Sequence, residues 1–504
     1  MERRLALNVA ARSRAALGRH LNAQIVFDVS DDVDIRKSLE DMKTSEYSVS
    51  AFLFAFLINR LSMISREDLL HRINDYFEHL YPVPSYAFLH EPTIRQQGLD
   101  GTVEPSLAFS IAAVAKLLLS NQDESALITR TEAIIWEHLE RPSIVQLQSL
   151  LLVIHYRIQT GSFSRAYMLA GLAARAATAL RLNYERPELS FVAQESRRRV
   201  LWALTFIDGH FSVGLPEYET IPHTIIYQRL PCSEDLFNGN SQEVESQLSL
   251  LGVCIRLSKI QKDIMRLTRQ LALSEQPLAH LNVLVQEIQK DLWRLQADVG
   301  LSCGYKISHP MKMDKSRWFP RYLQISISWH QAHCDLYRLF LPGYPEAAPR
   351  IILDAIAIEV REHAVRQCHE HVAQINQLLS DLLGISRSVL PHYVAICAYQ
   401  ATRLTLFLPS SPDVGMELSM ADAIQKAHTA VAVTQTYFSS PSTKELVLDL
   451  QRLGQTLDTD PQSIYKELCP SPPLDQGLHR HNHLAIHSLV RQAKFVDDGY
   501  EQFN

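Results

Sequence analysis

Apolar residues recur at three- and four-residue spacing through almost every long segment of this chain, the period of an amphipathic helix. The stretch from Ser65 to Leu80 sets the pattern: Leu69, Leu70, Ile73, Phe77 and Leu80 share one face, Ser65 stands at an N-cap, and Glu67 and Asp68 place negative charge in the first turn. Tyr81-Pro82-Val83-Pro84 ends it, because proline cannot continue a helix. The same reading predicts helices near 104–120, 126–140 and 143–159, two long ones at about 243–272 and 277–299, and further ones near 316–341, 350–384, 387–407 and 418–438. The expected fold class is all-α, a multi-helical array of packed helical hairpins.

Residues 143–182 read as one such hairpin. Leu147, Leu150, Leu151, Ile154 and Ile158 line its first helix, Gly161-Ser162 breaks it, and Tyr167, Leu169, Ala173, Ala177 and Leu180 line the second. Ala170, Gly171, Ala173, Ala174, Ala176 and Ala177 are small, so the second helix is expected to approach its neighbours closely. The layout is similar to a tetratricopeptide unit, but no second copy follows at about 34 residues, and a repeat array is not expected.

Prolines and glycines divide the chain. Residues 213–243 hold Gly214, Pro216, Pro222, Pro231 and Asn238-Gly239-Asn240 and mark the best internal boundary. Leu408-Pro409-Ser410-Ser411-Pro412 separates two later helices, and Pro461, Pro470, Pro472 and Pro473 punctuate the end. The expected organisation is an N-terminal arm with leading helices over 1–64, a core over 65–242, a helical continuation over 243–440 and a partly disordered tail over 441–504.

Composition narrows the function classes. A net charge of −6 excludes a surface that is wholly a nucleic-acid footprint, which needs clustered Lys and Arg. Seventeen glycines in 504 residues favour helices over turn-rich β structure. The seven cysteines, Cys232, Cys254, Cys303, Cys334, Cys368, Cys397 and Cys469, never fall within four residues of each other, which argues for free thiols and against a site built from neighbouring Cys ligands. The longest apolar run, Ala51 to Ile58, is too short for a bilayer, so no membrane partner is expected. Five Arg and one Glu between Met1 and Leu21 fit either a mitochondrial transit peptide or an ordinary amphipathic helix, and the second is preferred.

Candidate chemistry is sparse. There is no Gly-x-Gly-x-x-Gly, no phosphate-binding Gly-x-x-x-x-Gly-Lys, no His-Glu-x-x-His and no Gly-x-Ser-x-Gly. His330, His333 and Cys334, then His363, His369 and His371 with Cys368, then His479, His483 and His487 have spacings that could present ligands on a helix face, but none completes a recognisable set. They are read as surface or core-edge histidines, so no metal site is expected. Asp31-Asp32-Val33-Asp34 reads as a solvated turn or cap. Neither catalytic residues nor a cofactor are assigned, and an enzyme is not expected.

The most informative stretch is Arg197-Arg198-Arg199-Val200-Leu201-Trp202-Ala203-Leu204-Thr205-Phe206-Ile207-Asp208, followed by Ser212, Gly214 and Pro216. On a helix Val200, Leu204, Ile207 and Phe211 share a face and Asp208 sits at its edge. A half-buried carboxylate there needs a cation, and Arg165, Arg175 and Arg181 are the candidates nearest in sequence. Arg198, Trp202, Asp208, Ser212, Gly214 and Pro216 together resemble the signature of the fungal transcription-factor regulatory domain, the middle homology region that usually follows a zinc binuclear-cluster module. Leu215 departs from the arginine common at its position. Tyr76-Phe77-Glu78-His79-Leu80-Tyr81-Pro82 with Phe88-Leu89-His90-Glu91-Pro92 resembles the opening of that domain, and Trp329 to Phe340 resembles a later helix, so the likeness runs from Ser65 to about residue 400.

The resemblance implies a nuclear transcription regulator, commonly of a metabolic or secondary-metabolite pathway, that binds effectors or partners and forms homodimers or heterodimers. The zinc cluster itself needs six cysteines in a short basic segment, and this chain has none before Cys232. DNA contact is therefore expected indirectly, through a partner or an upstream exon, and zinc only with such an exon. The alternatives are an accessory protein that pairs with full-length regulators and, from a different class, an all-helical enzyme.

Overall fold

The computed structural model describes residues 64–239, then 248–459 apart from 275, 277, 279, 304–306, 308–309, 386–388 and 411–418, and finally 463–464, 468 and 488–493. From Arg66 onward these belong to one compact unit. Every regular element among the described residues is helical, as expected of an all-α chain.

The first helix, α1 (Arg66–Asp75), runs into a π-helical turn at Tyr76–Leu80 and a 3-10 turn at Pro84–Tyr86. There follow α2 (Glu91–Asp100), α3 (Pro105–Ser120), α4 (Ser125–Glu137), α5 (Ile144–Gln159), α6 (Phe163–Ala179) and α7 (Phe191–Ser212). The helix α2 was not expected: its apolar content is low, and its first turn holds Pro92, whose missing N–H costs nothing there. Ser143 and Gln146 close a capping box at the start of α5. Helices α3, α4 and α5 pack on one another, α6 pairs with α5 as the predicted hairpin, and α7 lies on both.

After the irregular stretch come α8 (Glu234–Phe237), α9 (Leu250–Ala272), α10 (Leu281–Cys303), α11 (Phe319–Tyr337), α12 (Arg350–Asp354), α13 (Ile358–Leu382), α14 (Tyr393–Ser410), α15 (Met420–Tyr437), α16 (Lys444–Thr459) and α17 (Leu489–Gln492). The helix predicted over 350–384 is broken into α12 and α13, and α14 runs through Pro409 in its last turn. Residues 444–459, within the expected tail, form a helix packed on α14 and α15. The N-terminal arm over 1–64, Asp31 to Asp34 and His479, His483 and His487 lie outside the described residues.

Helix α11 is the axis of the second half, packed against α9, α13 and α14, and nearly every residue along it is buried. Its neighbours supply one continuous apolar core from Val253 to Leu468. Among the described residues no single helix is long and apolar enough to cross a membrane.

The small residues of α6 divide by face. Ala170, Ala173, Ala174 and Ala177 are buried, whereas Gly171 and Ala176 are half-exposed, and a Cβ added at Gly171 would meet nothing within 4 Å. Ala173→Leu should therefore lose about 1–3 kcal/mol through overpacking. Gly171→Ala should gain about 0.5–1 kcal/mol from helix propensity. Urea unfolding of both variants checks the pair, and equal effects of one sign would contradict the assigned faces.

Candidate functional site

At 100° per residue, Arg198, Trp202, Asp208 and Ser212 fall within a stripe of about 120° on α7, opposite the apolar stripe of Val200, Leu204, Ile207 and Phe211. The apolar stripe packs inward, with Phe211 edge-on to Tyr167 of α6 at 5.5 Å. The motif stripe is buried as well, because the irregular segment from Val213 to Ser233 folds back over it.

Motif residues hold that segment at several points. The Trp202 Nε1–H donates to the Arg229 carbonyl at 3.0 Å. Arg198 donates twice to Glu185, at 2.8 and 2.9 Å, and Glu185 accepts from the Arg229 N–H at 2.8 Å. Asp208 accepts from the Thr220 N–H at 2.9 Å and from its hydroxyl. Two left-handed residues, Val213 and Gly214, reverse the chain after α7, and Pro216 opens the 3-10 turn that follows. Gly214 is fixed by proximity: a Cβ there would come 2.9 Å from Met265 Cβ and 3.2 Å from Lys262 Cα. Leu215, the departure from the family pattern, is fully buried and packs with Ala272, Met265 and Tyr218. The Ser212 side chain is buried beside this turn, whose Leu215 N–H donates to the Ser212 carbonyl at 2.8 Å.

Asp208 does not meet the arginines named from the sequence. Arg165 pairs with Glu132 on α4, Arg175 is exposed, and Arg181 lends its carbonyl to Arg197. The cation beside Asp208 is Lys262 on α9, at 3.6 Å, which also lies 3.3 Å from Glu219. Burial pushes the Asp208 carboxyl up and Lys262 pulls it back, the first effect winning. Helix packing places Lys262 there, a pairing that proximity in sequence could not indicate.

Arg199, next to Arg198 of the motif, has a fully buried side chain. It donates to Glu195 at 2.8 Å, to both oxygens of Glu234 at 2.9 and 2.8 Å, to the Tyr81 hydroxyl at 3.0 Å and to the Cys232 carbonyl at 2.9 Å. Arg321 of α11 reaches the same Glu234 and donates to the carbonyls of Pro82 and Tyr81, each at 3.1 Å. The Tyr81 hydroxyl donates to Glu234 at 2.6 Å. Burial pushes the Glu234 carboxyl up, but Arg199 and Arg321 outweigh it and hold the group at about 2. The opening Tyr81-Pro82 segment, the motif helix and the later helical half thus meet at one carboxylate.

Beside the motif, α7, α9, α11 and α14 line a cavity of about 150 Å³. Phe206, Gly209, His210 and Val213 face it from α7 and its cap, and Ser258, Gln261, Lys262 and Met265 from α9. Helix α11 turns an unbroken polar stripe toward it, Gln324, Ser328, Gln331 and Asp335, continued by Arg338. Tyr393, Ile396 and Gln400 close it from α14. A wider cavity of about 780 Å³ adjoins it, sharing Val83, Ser85, His210 and His392. Apart from those on the motif helix, and Gln331, Asp335 and Arg338 within the stretch from Trp329 to Phe340, none of these residues was singled out from the sequence. A polar stripe at helical spacing carries the same signal as a solvated face, and only the packing shows that this one points inward.

Of the histidines in the proposed ligand spacings, His330, His333 and His371 are not on the surface. His330, His333 and His371 come together in the core, with His330 Nδ1 2.9 Å from His371 Nδ1 and His333 stacked on His371 at 4.1 Å and 6°. Parallel stacked rings cannot both aim in-plane lone pairs at one ion, and no group among the described residues could hold a metal. His363 is exposed, and Cys334 and Cys368 are buried free thiols. Burial lowers His330 to about 3, His333 to about 2 and His371 to about 4, so all three are neutral in the fold.

The family model of the fungal specific transcription factor domain matches residues 73–302. The chain carries this domain over those residues. The segment from Trp329 to Phe340 lies beyond the match. Two Zn(2)-C6 fungal-type transcription factors of Fusarium oxysporum f. sp. lycopersici, FTF1c and FTF1a, are 28% identical over 188 residues and 29% over 191. Those alignments cover 33% and 34% of this chain but 20% and 18% of the relatives, so the match spans about a fifth of their length. An uncharacterized transcriptional regulatory protein of Schizosaccharomyces pombe is 24% identical over 183 residues, 32% of this chain and 19% of its own. No solved structure matches.

Two measurements test this geometry. Arg199→Ala leaves Glu234 and Glu195 short of a buried counter-charge and should cost about 3–5 kcal/mol; Trp202→Ala should cost a similar ~3–5 kcal/mol. Chemical denaturation reads both, and unchanged midpoints would contradict the clamping role. For pH, a buried neutral histidine takes up its proton only in the unfolded chain once pH falls below about 6.5, so acid favours unfolding. Glu234 adds to this loss below about 4.5, as pH approaches its folded value near 2. The unfolding midpoint should therefore drop between pH 7 and pH 5. His333→Phe should remove about 2 kcal/mol of that loss, read as a flatter stability profile.

Proposed function

We propose that this chain is the regulatory portion of a transcription regulator of the fungal zinc-cluster type, acting in the nucleus on a metabolic or secondary-metabolite pathway. The observation that carries the reading is the fungal specific transcription factor domain over residues 73–302 in a 504-residue sequence whose cysteines are all isolated. Sequence-specific DNA contact is then supplied through another segment or a partner, since six clustered thiolates are what hold the two zinc ions of that module. Regulation is a shift between packed states by an effector or partner that prefers one of them. The irregular segment clamped to the motif helix is the element best suited to differ between states, because its hold on α7 rests on a small set of polar contacts.

A second reading, an accessory protein that heterodimerises with full-length regulators, draws on the same isolated cysteines. An all-helical enzyme has less support: the buried Asp208 and Glu219 are balanced by Lys262 and Arg266, and among the described residues no activated nucleophile stands beside them.

Fusing the chain to a heterologous DNA-binding domain upstream of a reporter separates these readings. A regulatory chain changes expression at least fivefold relative to the DNA-binding domain alone, and the change disappears with Arg199→Ala. A stable, nuclear fusion that leaves the reporter unchanged would rule out a regulatory output of its own and leave the accessory role, for which a zinc-cluster partner should co-purify.

A further inference from the structure

We infer that the cavity between α7, α9, α11 and α14 is a binding site for an uncharged, largely apolar small molecule that carries both a hydrogen-bond donor and an acceptor. The inference deepens the regulatory reading and rests on it for its biological meaning; binding itself stands on the geometry alone.

Charge balance gives the first part. The acidic and basic side chains at the cavity, Lys262, Asp335, Arg338 and Glu346, are already compensated in the wall. Lys262 lies against Asp208 and Glu219, and Glu219 is also held by Arg266 at 2.8 Å. Arg338 lies 3.1 Å from Asp335, and Glu346 is paired with Arg403 at 2.8 Å. His210 is held neutral, its value lowered by burial to about 4. A charged guest would lose its hydration without finding a free counter-ion, a cost of several kcal/mol per ion that a neutral guest avoids.

Unsatisfied polar atoms give the second. The Gln331 side-chain oxygen, Lys262 Nζ and Arg338 Nε belong to cavity-lining residues at least nine-tenths buried, and none has a hydrogen-bond partner among the described residues. A buried polar atom left in this way is destabilising. One acceptor and two donors thus stand unsatisfied in the wall, so the guest that satisfies them by a small side-chain turn offers a hydroxyl or amide N–H to Gln331 and a carbonyl or ether oxygen to the cations. Phe206, Met265 and Ile396 supply the apolar contact for its frame.

Gly209 gives the third. Glycine inside a 22-residue helix is unfavourable by about 1 kcal/mol against alanine, and a Cβ at this position would meet nothing within 4 Å. The helix leaves this room on the side that faces the cavity. A cavity of about 150 Å³ is the size that takes a benzene-like guest, and the wider cavity beyond His210 and His392 gives a larger one a way in.

The test uses the full chain and two probes of one shape, 2-naphthamide, neutral with a donor and an acceptor, and 2-naphthoate, its anionic counterpart. Calorimetric titration should show saturable binding of 2-naphthamide, at least tenfold tighter than 2-naphthoate. Gly209→Phe should abolish binding by filling the space from α7, and Ile396→Trp should do so from α14, so that one plug serves if the other fails to fold. Gly209→Ala should keep binding, and Gln331→Leu should weaken it about tenfold. No saturable binding by the unaltered chain, equal or tighter binding of 2-naphthoate, or unchanged binding by a folded plugged variant would each overturn the site. Binding is read on purified protein and reporter output in cells, so failure of the site and failure of the regulatory reading are told apart.

Discussion

Burying a carboxylate requires that its counter-charges be brought to it, and the structure depends on how this is done at Glu234. Arg199 and Arg321 come from helices more than a hundred residues apart, and Tyr81 from the opening segment, yet all three converge on one side chain. Left with one cation, Glu234 would retain most of its desolvation cost and little of the compensating attraction. The cluster is therefore a condition on assembly: α7, the segment that carries Glu234 and the later helix α11 must be docked for the carboxylate to be electrostatically satisfied. The segments divided at 242 in the sequence reading are tied together across that boundary.

From this follows the unusual state of α7. A surface helix presents one apolar stripe and leaves the rest to water. Here both sides are covered, the apolar stripe by the hairpin beneath and the polar stripe by chain that returns from Val213 and is fastened at Thr220, Arg229 and Cys232. Fastening by polar contacts suits a cover of low apolar content, since direction and distance decide the hold rather than area.

The interior is correspondingly polar for an all-α fold. Helix α11 turns Gln324, Ser328, Gln331 and Asp335 inward, and its His333 stacks on His371 of α13. Where four helices meet with long polar side chains between them, the packing does not close, and the cavity remains. Its ion pairs cancel within the wall, which leaves hydrogen-bonding capacity without net charge.

What the sequence determined by itself is the helical class, most helix positions, the hairpin at 143–182 and the motif of Arg198, Trp202, Asp208, Ser212, Gly214 and Pro216. These rest on local period, on proline and glycine, and on residue types at fixed spacing, all of which act within a few turns of chain. Tertiary structure decided the rest. The α2 helix has too weak an apolar face to declare itself, and 444–459 was hidden among the prolines that follow it. Asp208 found Lys262 rather than an arginine nearer in sequence, the histidines stacked in the core, and the polar face of α11 turned away from solvent. Each of these is a contact between distant residues, and the helical period fixes which residues share a face but not what that face meets.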